Sequence, residues 1–199
     1  MKPYKEHVDA WMKYLHFNPS CILEAGVGRL ESCRTRQYWD TNTKCILFEP
    51  NPTFHTQLAK AIQPYPNVFL SREALWDHGK GVTFYQFDQS SYVDGVEARS
   101  NISRPNRKKR VIEVPSTRLS RYDDGRIDVA LIDVESAEWY VLKHMVSRPI
   151  LIVIELWKYR SKKWKHPDMH HIKKWLGMNG YLEVGRERRD GFFMRPTDG

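Results

Sequence analysis

Five short apolar runs in this sequence end in, or lead directly to, a carboxylate. Glu24 closes Cys21-Ile22-Leu23, Glu49 closes Ile46-Leu47-Phe48, and Glu73 follows Val68-Phe69-Leu70 by a short turn. Asp133 closes Ala130-Leu131-Ile132, and Glu155 closes Ile152-Val153-Ile154. Such runs are the trace of strands buried on both faces. If the strands are parallel, the acids gather at their carboxyl ends, where open α/β sheets bind ligands. The first run continues into Ala25-Gly26-Val27-Gly28, a turn whose bare backbone can approach a ligand closely. A carboxylate at the next strand end, Glu49, can accept both hydroxyl protons of a ribose.

This is the arrangement of a nucleoside site, but a third glycine to seat a pyrophosphate is missing, because Arg29-Leu30-Glu31-Ser32 follow. A glycine turn that opens on Glu24 without that cradle suits a zwitterionic nucleoside, S-adenosylmethionine, better than NAD. The plainer alternative is an ordinary strand–turn–helix with Glu49 a solvated strand end. Methyl transfer from a sulfonium is an in-line displacement, so the protein supplies proximity and orientation. A hydroxyl acceptor also needs a base for its departing proton. Asp133 and Glu135 are the catalytic candidates. Two residues apart on a strand, they face opposite ways unless the chain turns there. Asp133 is the expected cleft residue, and Glu135 is as readily a helix cap, since an acid suits a helix N-terminus. Asp133 and Glu155 are also the residues that could offer two oxygens to Mg²⁺, although no dense oxygen-ligand motif accompanies them. His78 is a spare base in a turn near the rim. His170 and His171, adjacent on a predicted helix, do not share a face.

The elements needed to position these residues are legible along the chain. Lys5 to His16 has helical apolar spacing through Val8, Trp11, Met12 and Leu15 and is expected across the sheet edge. Helices are expected over 29–39, through Phe54, Leu58 and Ile62, over 137–146 and over 170–176. Strands are expected at 44–48, 67–70, 128–133 and 150–156. The runs 82–87 and 111–114 should pair as an added β-hairpin, with the polar stretch from Asp88 to Asn106 as a mobile loop between them. Residues 181–184 and 191–194 should close the sheet as an antiparallel pair. The reading is therefore α/β: a doubly wound, mostly parallel Rossmann-type sheet with a C-terminal antiparallel strand pair and an added β-hairpin. The 199 residues form one domain, with a helical segment over 1–19 and an insertion over 82–115.

Several of these stretches resemble the FkbM-like methyltransferases, a branch of the Rossmann-type enzymes that use S-adenosylmethionine. Phe48-Glu49-Pro50-Asn51-Pro52 resembles the family's second strand end, and the stretch from Asn67 to Tyr85 its third strand, turn and added strand. Asp133-Val134-Glu135-Ser136-Ala137-Glu138 is similar to its acid-x-acid-glycine-x-acid motif. Ile152-Val153-Ile154-Glu155, Gly180-Tyr181 and Phe192-Phe193 also fit. In two places the chain departs from the pattern. Gly28 and Leu30 stand where the family has asparagine and glycine, and Ser136 stands in the glycine place of the acidic motif. The resemblance implies that Glu24, Gly26 and Gly28 line the methionine end, that Glu49, with Pro50 and Asn51 beside it, holds the ribose, and that Glu73 and Ala74 lie beside the adenine. Asp133 would bind the cofactor too, facing its amino or methyl end and the incoming acceptor. The implied activity is O-methylation of a hydroxyl, commonly on a sugar or other secondary metabolite.

Composition bears on the acceptor. The net charge of +8 points to anionic partners. The basic residues gather in two clusters, Arg104 with Arg107 to Arg110, and Lys158 to His166, the second interleaved with Trp157, Tyr159 and Trp164. Overhanging the rim, the second cluster would suit phosphate contacts and ring stacking; as a solvated loop it would have no such role. The expected acceptor is a small anionic molecule such as a sugar phosphate. The alternatives are a nucleic-acid methyltransferase using the basic rim and a catalytically inactive nucleoside-binding module. No apolar run approaches a membrane span, no apolar signal core opens the chain, and Cys21, Cys33 and Cys45 have no metal spacing. A cytoplasmic protein without membrane attachment is expected.

Overall fold

The computed structural model describes residues 8–87, 90–96, 110–156 and 166–196. In chain order it contains α1 (Val8–Tyr14), β1 (Cys21–Ala25), β2 (Lys44–Phe48), α2 (Pro52–Ile62), β3 (Val68–Ser71), β4 (Ala74–Leu75) and β5 (Val82–Gln86). There follow β6 (Tyr92–Val93), β7 (Arg110–Val114), β8 (Ser116–Thr117), β9 (Val129–Ile132), α3 (Glu138–Leu142) and β10 (Leu151–Glu155). The chain closes with α4 (Met169–Met178), β11 (Leu182–Glu187) and β12 (Asp190–Met194). The main sheet has the order β11-β12-β10-β9-β1-β2-β3. Its pairs from β10 to β3 are parallel, and β12 joins antiparallel to β10 and β11. This is the α/β architecture expected, with its antiparallel pair at one side.

Strand alternation decides the two cores. Leu23, Ala25, Ile46, Phe48, Ala130, Ile132, Ile152 and Ile154 face one way and pack against Val141 and Leu142 of α3 and Ile172 and Leu176 of α4. Ile22, Val129, Leu131, Leu151 and Val153 face the other way onto Trp11 and Met12 of α1. Cys45 and Leu47 meet Phe54 and Leu58 of α2 on that same side. Period-two side chains apolar on both faces demand cover on both, and the helices supply it. The three cysteines are buried and unpaired. Among the described residues no helix is long and apolar enough to cross a membrane.

Four local expectations are corrected. The N-terminal helix lies on the face of the sheet, not its edge: Trp11 stacks on Phe192 at 5.5 Å, and the described helix covers Val8–Tyr14 before His16 turns left-handed. The helix expected over 29–39 is instead two short 3-10 turns, Leu30–Ser32 and Arg36–Tyr38. Between them the amides of Arg34 and Thr35 donate to Glu24, and an amide so engaged is taken from the helical ladder. The helix expected over 137–146 stops at Leu142; Asp123 accepts the amides of Val146 and Ser147 and draws the chain away. The added hairpin is a three-stranded sheet, since β6 pairs with the free edge of β5 opposite β7. The basic residues Arg104, Arg107, Lys108 and Lys109, and the cluster from Lys158 to Lys165 with its aromatics, lie outside the described residues.

Candidate active site

The carboxyl ends of β1, β2, β3 and β9 open onto one cavity of about 550 Å³. Gly26, Gly28, Glu49, Pro50, Asn51, Glu73, Ala74, Asp133 and Glu135 all line it. The glycine turn is tight for a specific reason. Gly26 has φ +83°, and a Cβ there would lie 1.8 Å from the Asp133 carbonyl oxygen. The loop leaving β1 therefore presses on the chain leaving β9, which only glycine allows. Two residues later the Gly28 amide donates to Glu49 Oε2 at 2.6 Å, and the Asn51 amide donates to Oε1 at 2.8 Å. Glu49 is thus fixed at both oxygens, each of which keeps acceptor capacity. Burial pushes its carboxyl up to about 7, against those two donors.

Glu24 is placed differently from the other acids. It is buried and does not line the cavity. Its carboxylate accepts the Arg34 amide at 2.8 Å, the Thr35 amide at 3.0 Å and the Thr35 hydroxyl at 2.7 Å. Glu24 holds the 33–35 loop, and that loop delivers Arg34, which does line the cavity. The Arg34 guanidinium reaches Asp133 Oδ2 at 3.5 Å and Asp190 Oδ2 at 3.6 Å. Asn51 is likewise spent on structure: it caps α2 by accepting the Thr53 amide and donates to the Phe87 carbonyl and the Ser91 hydroxyl at 3.0 Å each. Those bonds fasten the added sheet beside the cavity, so that Phe84, Ser91 and Tyr92 form one wall. Glu73 accepts from the Tyr122 hydroxyl and, at 3.1 Å, from that of Ser71.

β9 ends at Ile132, and the chain then turns through two left-handed residues, Glu135 (φ 51°) and Ser136 (φ 83°). The turn is what lets both Asp133 and Glu135 reach the cavity. Ser136 keeps the backbone region that glycine prefers, at the small cost a side chain pays there. The helix cap considered for Glu135 is not formed: α3 has Ala137 at its N-cap position and no side-chain cap hydrogen bond. Glu138 Oε1 instead accepts the amides of Val134 and Ser136, in the turn before the helix, at 3.1 and 3.3 Å. Glu138 Oε2 lies 2.5 Å from His166 Nε2, and both side chains are fully buried.

Asp133 is 38% exposed and lines the cavity. Poor solvation there raises its pKa, Arg34 opposes the rise, and Asp190 and Glu138 add to it. Behind it Glu155 is buried and does not line the cavity. Burial and the carboxylates of Asp133, Glu135 and Glu138 raise its pKa, which favours the protonated acid. Arg189 donates to Glu155 Oε1 at 2.9 Å, while Oε2 has no hydrogen-bond partner among the described residues. Asp133, Glu138 and Glu155 bring oxygens within 4.8 Å of one another. Asp133 and Glu155 are the pair able to offer oxygens to a divalent ion; the Glu138 oxygens are already taken up, and Arg34 and Arg189 already bring positive charge.

Sequence reasoning did not find Arg34, or Arg188 and Arg189 at the tip of the β11–β12 hairpin, which also line the cavity. Arg34 sits in irregular chain, and its only signal was the buried acid ten residues before it. His78 lies in a separate groove with Lys80 and Arg121 and does not line the cavity.

The family model described as methyltransferase FkbM domain matches residues 23–185. No curated protein matches the chain. Fibrillarin of Aeropyrum pernix, solved with natively bound S-adenosyl-L-methionine, superposes with a TM-score of 0.51 at 12% identity, covering 92% of this chain and 70% of that one. The methyltransferase domain of bacterial CtHen1-C gives 0.50 at 12% identity, covering 96% and 95%. Monomeric WbdD gives 0.49 at 9% identity; the match takes in 96% of this chain and spans 39% of that one.

Proposed function

Since the chain belongs to the FkbM methyltransferase family, we propose that it transfers the methyl group of S-adenosylmethionine to a hydroxyl oxygen of a small, anionic acceptor such as a sugar or sugar phosphate. The observation that carries this reading is the placement of Glu49. Its buried carboxylate is held by the Gly28 and Asn51 amides and lines the same cavity as Asp133. In this reading Glu49 receives the two ribose hydroxyls, Gly26 and Gly28 allow the methionine end to lie against backbone, and Glu73 and Ala74 border the adenine. Glu24 acts one step back, by holding the loop that carries Arg34. The lining acids, which also include Glu187 and Asp190, outnumber the arginines Arg34, Arg188 and Arg189. That excess suits a sulfonium cation.

In the transfer itself the acceptor oxygen attacks the methyl carbon in line. The carbon–oxygen bond forms as the carbon–sulfur bond breaks, and the sulfonium charge is discharged on the thioether that leaves. The acceptor's hydroxyl proton passes to Asp133, whose raised pKa makes it a stronger base than an ordinary carboxylate. Arg34 orients that carboxylate, and Glu135 shapes the acceptor side. No step requires a metal.

Calorimetry with S-adenosylmethionine, on wild type and Glu49→Ala, tests the reading. Binding by the wild type that weakens at least about 100-fold in the variant is expected, since two charge-assisted hydrogen bonds are lost. A folded wild type that does not bind would end the proposal. Binding without transfer to any hydroxyl acceptor would favour the inactive nucleoside-binding module.

A further inference from the structure

A second, shallow and largely open depression lies outside the cavity. A groove of about 510 Å³ runs between the turn after β4 and the segment after β8, and its charged lining is wholly basic: His78, Lys80, Arg118 and Arg121, with the hydroxyls of Thr117 and Ser120. Asp77, the acid nearest to it in the chain, is taken by Lys143 at 2.6 Å and His144 at 2.8 Å. Its charge is therefore compensated from the side of α3.

The groove is built rather than incidental. β4 and β8 pair in parallel, Ala74 with Ser116 and Leu75 with Thr117, so the two segments leave the pair side by side. The Ser116 hydroxyl donates to the His78 carbonyl at 2.6 Å and accepts from the Gly81 amide at 3.2 Å, clamping the 78–81 turn. Arg118 Nε donates to the Asp77 carbonyl, which holds that guanidinium on the groove wall. Cations gathered by fixed backbone repel one another and are poorly placed without an anion to share.

Its position ties it to the cavity. Ala74 and Leu75 line the cavity, and His78 is four residues beyond Ala74. Four residues span at most about 14 Å of extended chain. The Cα atoms of Ala74 and His78 are therefore no farther apart than that.

We propose that this groove binds a phosphate group of the methyl acceptor, whose hydroxyl lies in the cavity. The proposal rests on the methyl-transfer reading for the acceptor's identity, but the phosphate site can be tested without it. Arg118 and Arg121 supply planar donors that match phosphate oxygens, Lys80 supplies a point charge, and Ser120 adds a hydroxyl.

Inorganic pyrophosphate is the probe, titrated by calorimetry at low ionic strength into wild type and into Lys80→Ala/Arg121→Ala, both exposed positions. Wild-type binding that weakens at least about tenfold in the double variant, and falls with added salt, is expected. The same samples are titrated with S-adenosylmethionine, whose affinity should be unchanged because neither residue lines the cavity; this also verifies the fold. A wild type that takes S-adenosylmethionine but not pyrophosphate, or pyrophosphate binding indifferent to the double substitution, overturns the groove. Pyrophosphate binding in a protein that ignores S-adenosylmethionine would remove the methyl-transfer reading and leave the anion site standing. An oligonucleotide that binds through these residues far more tightly than pyrophosphate would overturn the assignment to a small acceptor.

Discussion

At the scale of residues, the site separates carboxylates that face the cavity from carboxylates that hold those groups in place. Asp133 lines the cavity beside Arg34, so Asp133→Asn should leave S-adenosylmethionine affinity within a few-fold while transfer slows about 100-fold or more, the usual worth of a general base. Transfer by the variant at wild-type rate, measured in single turnover, would remove Asp133 from the chemistry. Glu49 gives a pH signature. Burial lets its carboxyl hold a proton up to about 7, whereas a ribose diol needs the carboxylate as acceptor. Binding must then displace the proton below that pH, and affinity should fall by up to about tenfold per unit as pH drops from 7 to 6. Above pH 7 the Glu49 contribution should level off. Calorimetry at pH 6, 7 and 8 reads this, and affinity that rises toward pH 6 would contradict it.

At the scale of elements, Asn51 is the joint between the main sheet and the added one. It caps α2, receives Gln86 Nε2 at 2.8 Å, and reaches the Phe87 carbonyl and Ser91. Asn51→Ala should cost about 1–2 kcal/mol in denaturant unfolding, from a lost cap and side-chain bonds left unmade. Amide exchange should also quicken at β6 before it quickens at β2; equal protection at both would show that the added sheet does not depend on this joint. Much of this level was legible beforehand. Apolar runs marked the strands, and Asn51-Pro52 marked a helix start. The helix expected over 29–39 was not formed, because its spacing carried no trace of Glu24 claiming the amides of Arg34 and Thr35.

At the scale of the whole molecule, two helical layers cover a sheet that is apolar on both faces. Trp11 shows how far a short helix contributes: it is buried on the sheet face and stacks on Phe192 of β12. Trp11→Ala should cost about 3–5 kcal/mol, the range for emptying an aromatic site in a core, and near-native stability in urea would mean that α1 is dispensable.

The positions of the strands along the chain, the glycine turn and the acids at strand ends were set by local pattern, because burial and chain reversal leave their mark within a few residues. Which acids share the cavity was not. Glu24 and Glu49 end neighbouring strands in similar runs, yet one is enclosed by a loop and the other opens on the cavity. Likewise nothing near Arg34 or Arg189 announces a partner. Those pairings join residues far apart in sequence, and only the folded sheet brings them within range of one another's charge.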